Sequence, residues 1–156
     1  MKTATITEQQ NYHASISVNA NIEKAFEEIC NVNDWWTAKF EGRAKKLNDV
    51  FTVHFGDTFV TFKIEEIIPY QTIVWNVTDC CLPWLSDKKE WNVTKVVFEI
   101  SEKKGFTKID MTHVGLMPEI ECYEGCKKGW DFFIKKSLHQ LITTGKGLPD
   151  TPITSR

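Results

Sequence analysis

At 156 residues the chain is the size of one domain, and folding a chain of this length buries roughly two thirds of its surface. A net charge of −2, with lysines in scattered pairs and no interleaved aromatic stripe, excludes a basic face for nucleic acid. No apolar run can span a bilayer, and five cysteines without an even framework or a signal-peptide core predict reduced thiols in a cytoplasmic protein.

Tyr12, Ala14, Ile16 and Val18 alternate with His13, Ser15 and Ser17, which predicts a half-buried strand. Asn21 offers an N-cap oxygen, and Ile22, Ala25, Phe26 and Ile29 follow at helical spacing. Asn31, Asn33 and Asp34 break that helix, and Trp35-Trp36 come next in a loop or second short turn. From about Ala44 to Val114 the period is two. Phe51, Val53 and Phe55 lead to a Gly56-Asp57 turn, and Phe62 and Ile64 run up to Pro69. Ile73, Trp75 and Val77 follow, then Val96, Phe98 and Ile100, a Lys103-Lys104-Gly105 turn, and Ile109, Met111 and His113. Short strands joined by short turns predict an antiparallel meander with the large apolar side chains on one face.

The stretch from Asp79 to Glu90 interrupts the meander with Cys80, Cys81, Leu82, Trp84 and Leu85. A loop this apolar either folds over an open sheet end or forms a lid on a cavity mouth. Beyond Pro118, the residues Tyr123, Cys126, Trp130, Phe133, Ile134, Ser137, Leu138, Leu141 and Ile142 form one helical stripe. Gly145 or Gly147 ends the helix, and Gly125 with Gly129, one turn apart, suit a close approach to the sheet. One domain is expected over 11–149, with flexible tails at 1–10 and 150–156.

This order of elements carries a resemblance. Asn21-Ile22-Glu23-Lys24-Ala25-Phe26, Trp35-Trp36, Val74-Trp75, Asp87-Lys88-Lys89-Glu90-Trp91, Thr112 to Pro118, Gly129-Trp130 and Gly145-Lys146-Gly147 are spread along nearly the whole chain. In this order and spacing the chain resembles the START-like (SRPBCC, Bet v 1-like) superfamily, and within it proteins similar to the C-terminal domain of the activator of the heat-shock protein 90 ATPase. The resemblance implies an α+β helix-grip fold, a curved antiparallel sheet wrapped around a long C-terminal helix with a hydrophobic pocket between them. It leaves function open, because that superfamily hosts carriers, receptors, enzymes and co-chaperones.

Three functions stay in view. The first is binding of an apolar small molecule, with Phe55, Phe62, Trp75, Phe98, Met111, Trp130 and Phe133 as the wall, His113 as the polar handle and Trp84 on the lid. The second, implied by the resemblance, is a protein-interaction module with a heat-shock chaperone as partner. The third is an enzyme using His113 as acid or base, against which stands the ordinary account of a hydrogen-bonded core histidine. No catalytic set, metal site or cofactor is expected. Cys122 and Cys126 lack converging ligands, adjacent Glu65 and Glu66 point to opposite faces of a regular strand, and neither a nucleophile elbow nor a phosphate loop occurs.

Overall fold

The structure, a computed structural model, describes residues 11–83, 85–86, 88–92, 94–117 and 123–150. Strand β1 (Tyr12–Val18) leads to helices α1 (Ile22–Cys30) and α2 (Val32–Trp35). Strands β2 (Phe40–Gly42), β3 (Val50–Phe55), β4 (Thr58–Ile68), β5 (Thr72–Cys81), β6 (Lys95–Lys103) and β7 (Phe106–Val114) follow. The chain ends in α3 (Tyr123–Phe132), a π-helical segment (Phe133–Leu138) and α4 (His139–Thr144), which run on without a break. All strands pair antiparallel in the order β1-β7-β6-β5-β4-β3-β2, and the C-terminal helix lies against the inner face. This is the α+β helix-grip architecture that the resemblance implies.

Local chemistry explains most boundaries. β1 alternates buried and exposed along its whole length, as its sequence does. Asn21 caps α1 by accepting from the Lys24 amide at 2.8 Å. Gly145 closes α4 in the left-handed region at φ 89°, its amide returning to the Leu141 carbonyl at 2.8 Å. Trp130, Phe133, Ile134, Ser137, Leu138, Leu141 and Ile142 are all buried, so the stripe faces the sheet through the π-helical turn as well.

One expectation is corrected, and two readings take a definite form. A methyl built on Gly129 would meet nothing within 4 Å, so this glycine makes no close approach. The tight contact comes later, at Gly147, where a methyl would overlap the Asp34 carbonyl oxygen. Glu65 and Glu66 are both exposed because a bulge between Ile64 and Glu66 breaks the alternation. The apolar loop after β5 is part of the core: Leu82, Leu85 and Trp91 are each at most 5% exposed. Asp87, Cys122 and the lid residue Trp84 lie outside the described residues.

Candidate functional site

The inner face of the sheet carries Phe51, Phe62, Trp75, Phe98 and Met111, all fully buried, with Phe55 half-buried at the end of β3. The helix answers with Trp130 and Phe133. The structure therefore brings together every described residue expected in the wall. These rings pack in contact: Trp75 lies 5.0 Å from both Phe51 and Phe98 and 5.3 Å from Phe62, and Phe55 lies 6.2 Å from Phe133.

Sheet and helix meet through a residue that was not among the expected wall. The indole of Trp36 lies 6.3 Å from Trp75, nearly parallel at 8°, and 4.8 Å from Trp130, with Phe55 and Phe62 each at 5.8 Å. Trp35 stacks on the same set, 5.9 Å from Trp36 and 6.4 Å from Trp75. The centre of the grip, where an open cavity was expected, is thus filled by a ring carried on the connection between α2 and β2.

That connection is tied down from the C-terminal side. Past Gly145 the chain turns back along Asp34 to Ala38. Ser137 donates to the Trp35 carbonyl and accepts from the Leu148 amide, both at 2.7 Å. The Asp150 amide donates to the Trp36 carbonyl at 2.9 Å, and its carboxylate accepts from the Ala38 amide at 2.9 Å and from the Thr37 hydroxyl. Asp150, expected at the start of a flexible tail, is therefore hydrogen-bonded to the loop that carries Trp36.

His113 faces inward from β7 and is fully buried. Its partners fix its chemistry. Trp130 Nε1 can only donate, so His113 Nδ1 accepts that bond at 3.0 Å. The ring proton then sits on Nε2 and is given to Thr94 Oγ1 at 3.0 Å, and Thr94 passes its own proton to the Trp91 carbonyl at 2.6 Å. Trp91 closes the cage, edge-on to His113 at 4.5 Å and parallel to Trp130 at 6.2 Å. Gly115 is required here, because a methyl on it would come within 2.7 Å of the Thr94 methyl at a φ of 102°. Burial pushes the His113 pKa down to about 3. A neutral ring with both nitrogens committed orients Trp130, and its basic lone pair is already taken up. This is the arrangement of a core histidine with both ring nitrogens hydrogen-bonded.

Two further polar groups bound the site. Tyr12 donates to Asp131 Oδ1 at 2.6 Å, joining β1 to the helix, and burial together with that carboxylate raises the phenol pKa well above its usual range. A pocket of about 420 Å³ lies at the β2 edge, lined by Ala38, Lys39, Phe40, Glu41 and His54. His54 alternates with Val53 and Phe55, so the pocket opens on the outer face of the sheet and none of the expected wall residues lines it. The buried His54 Nε2 sits 3.3 Å from Glu41 Oε2 without hydrogen-bond geometry. Among the described residues, no cluster of three or more His, Cys, Asp or Glu could hold a metal ion, and no helix is long and apolar enough to cross a membrane.

Sequence reasoning missed Trp36, Trp91 and Thr94 as parts of the site. Trp36 and Trp91 were visible as tryptophans in polar surroundings, an unusual placement for so large an apolar group. Nothing local marks Thr94, whose role arises from pairing across the sheet.

No curated protein resembles the sequence closely enough to count as a match. Solved structures do. The Aha1 dimer from Colwellia psychrerythraea superposes with a TM-score of 0.72 at 22% identity, over 88% of this chain and 98% of that one. A protein from Staphylococcus saprophyticus gives 0.67 at 14% identity, over 88% and 95%, and one from Mesorhizobium loti 0.64 at 18%, over 84% and 96%. At these identities the likeness is one of fold. The model of the family described as Activator of Hsp90 ATPase homolog 1-like protein matches residues 20–143, and with most of its length so matched the chain belongs to that family.

Proposed function

We propose that this protein is a binding module for a flat apolar molecule that takes the position of the Trp36 indole between sheet and C-terminal helix. The supporting observation is that the ring between Trp75 and Trp130 comes from a loop, while the walls on either side belong to the sheet and the helix. Withdrawing one loop-borne indole leaves a slot one ring wide. It is bordered by Phe55, Phe62 and Trp75 on the sheet side and by Trp130 on the helix side, with Phe98 behind Trp75 and Phe133 beside Phe55. Trp36 lies within 8° of parallel to Trp75 and is tilted by 39° to Trp130, so the space it fills is lined by ring faces and edges that suit an aromatic guest. His113 contributes by fixing the Trp130 ring, and no chemistry on the ligand is part of the proposal.

Titration of the wild-type protein with a panel of fused-ring probes, starting with 2-naphthol, tests this reading by NMR. Resonances of Trp36, Phe62, Trp75 and Trp130 are expected to move together with one saturation curve. Movement confined to unconnected surface residues refutes it.

A second reading is a co-chaperone-like interaction with a heat-shock chaperone, which the family description suggests. The observation favouring it is an apolar knuckle at the β4–β5 turn, where Ile68 and Tyr70 are about 40% exposed and Tyr70 packs edge-on against Phe26 at 5.3 Å. Purified heat-shock protein 90 should then bind the wild type and lose affinity for Tyr70→Ser. Equal or absent binding for both removes this reading.

A further inference from the structure

The walls of the grip are anchored in the sheet and the helix, but the ring between them is held by a separate device. Trp36 follows α2 directly, and the backbone on either side of it is fastened to one short segment, Gly147 to Asp150. Upstream, Gly147 lies against Asp34 and Trp35 with no room for a side chain, and Ser137 bridges the Trp35 carbonyl and the Leu148 amide at 2.7 Å each. At Trp36 itself, the carbonyl accepts the Asp150 amide at 2.9 Å. Downstream, the Asp150 carboxylate takes the Ala38 amide at 2.9 Å and the Thr37 hydroxyl. The open pocket of about 420 Å³ at the β2 edge touches this loop at Ala38 and Lys39.

We propose that residues Gly147–Asp150 are a latch that keeps Trp36 seated as an internal plug, so that the protein rests in a self-occupied state and opens when Asp150 releases Thr37 and Ala38. The proposal rests on the ligand reading above for its purpose, and on the hydrogen bonds alone for its mechanism. A charged acceptor shared by two donors is the strongest link in the set, and it is the one a single substitution removes. In the latched state only the small fraction of molecules with Trp36 displaced can take a ligand. Apparent affinity is reduced by that fraction, and loosening the latch restores it.

The test uses the full chain with Asp150→Ala, and Asp150→Asn as the variant that retains an acceptor for the Ala38 amide. Amide hydrogen exchange of Ala38 is expected to quicken about tenfold or more in Asp150→Ala, the loss of a hydrogen bond to a charged group. The Phe98 amide in the middle of the sheet should keep its wild-type rate, and Asp150→Asn should lie between the two. A 19F-tryptophan label, assigned through Trp36→Phe, should show the Trp36 resonance broadening or moving in Asp150→Ala. Ala38 exchange at the wild-type rate, or the same acceleration at Ala38 and Phe98, overturns the latch. The affinity for 2-naphthol distinguishes the two proposals. A gain of about the same factor as the exchange supports both. An unchanged, measurable affinity with faster Ala38 exchange overturns the latch as a gate. Absence of binding in wild type and variant alike refutes the ligand reading and leaves the exchange result to decide the latch.

Discussion

Lowering the pH tests the account of His113 most directly. In the folded protein burial holds this imidazole at a pKa of about 3, against an ordinary value of 6.5 when the chain is unfolded. Between those values the unfolded chain binds a proton that the folded one refuses, so acid favours unfolding. The contribution of His113 to stability is complete above the unfolded value and is lost progressively as pH falls from 6.5 toward about 3. At about pH 5 the loss from this residue amounts to about 2 kcal/mol, and the slope approaches about 1.4 kcal/mol per pH unit. Urea unfolding followed by far-UV circular dichroism at several pH values between about 5 and 7.5 measures it. His113→Gln supplies the control. A glutamine oxygen can accept from Trp130 Nε1 and its amide can donate to Thr94 Oγ1, but the side chain does not titrate. The difference in stability between wild type and variant should therefore shrink toward acid by about 2 kcal/mol. A wild type and variant that lose stability in parallel through this range would refute the assignment of a buried, neutral His113.

Two other contacts make opposite or graded predictions. Gly147→Ala forces a methyl against the Asp34 carbonyl and the Trp35 Cα and should lower stability by about 1–3 kcal/mol, whereas Gly129→Ala, in open space within α3, should raise it by about 0.5–1 kcal/mol. Parallel urea melts of the two variants decide between this placement and a close approach at Gly129. Tyr12→Phe removes the bond to Asp131, whose pKa burial would raise but which that bond and Lys127 hold below the usual carboxylate value. With Asp131 about a third exposed, the expected cost is about 1 kcal/mol in the same assay, and no change at all would mean the bond is absent in solution.

What the sequence revealed follows the range of the forces involved. β1, the cap at Asn21, the stop at Gly145 and the helical stripe from Trp130 to Ile142 depend on neighbours a few residues away, and all were legible. β2 is three residues long, too short for alternation to be visible. The π-helical turn from Phe133 to Leu138 leaves the apolar spacing of the stripe intact, so periodicity cannot detect it. The bulge at Glu65 depends on how β4 meets β5 rather than on either strand. The site divides in the same way. Which residues face the grip was readable from period two on the sheet and the helical stripe. That the space between them is occupied was not, because Trp36 reaches it from a loop and is held there by Asp150, more than a hundred positions away.

The ring contacts have an optical consequence. Trp35, Trp36, Trp75, Trp130 and Trp91 form one continuous chain of indoles with neighbouring centroids 4.8–6.4 Å apart. Five of the six tryptophans in the protein are therefore close enough to share excitation, and ultraviolet emission reports on this interior as a single unit. A guest or a substitution that parts the chain at Trp36 divides that unit between Trp35 and Trp75 on one side and Trp130 and Trp91 on the other. Transfer between the two groups should then weaken and the polarisation of the emitted light rise.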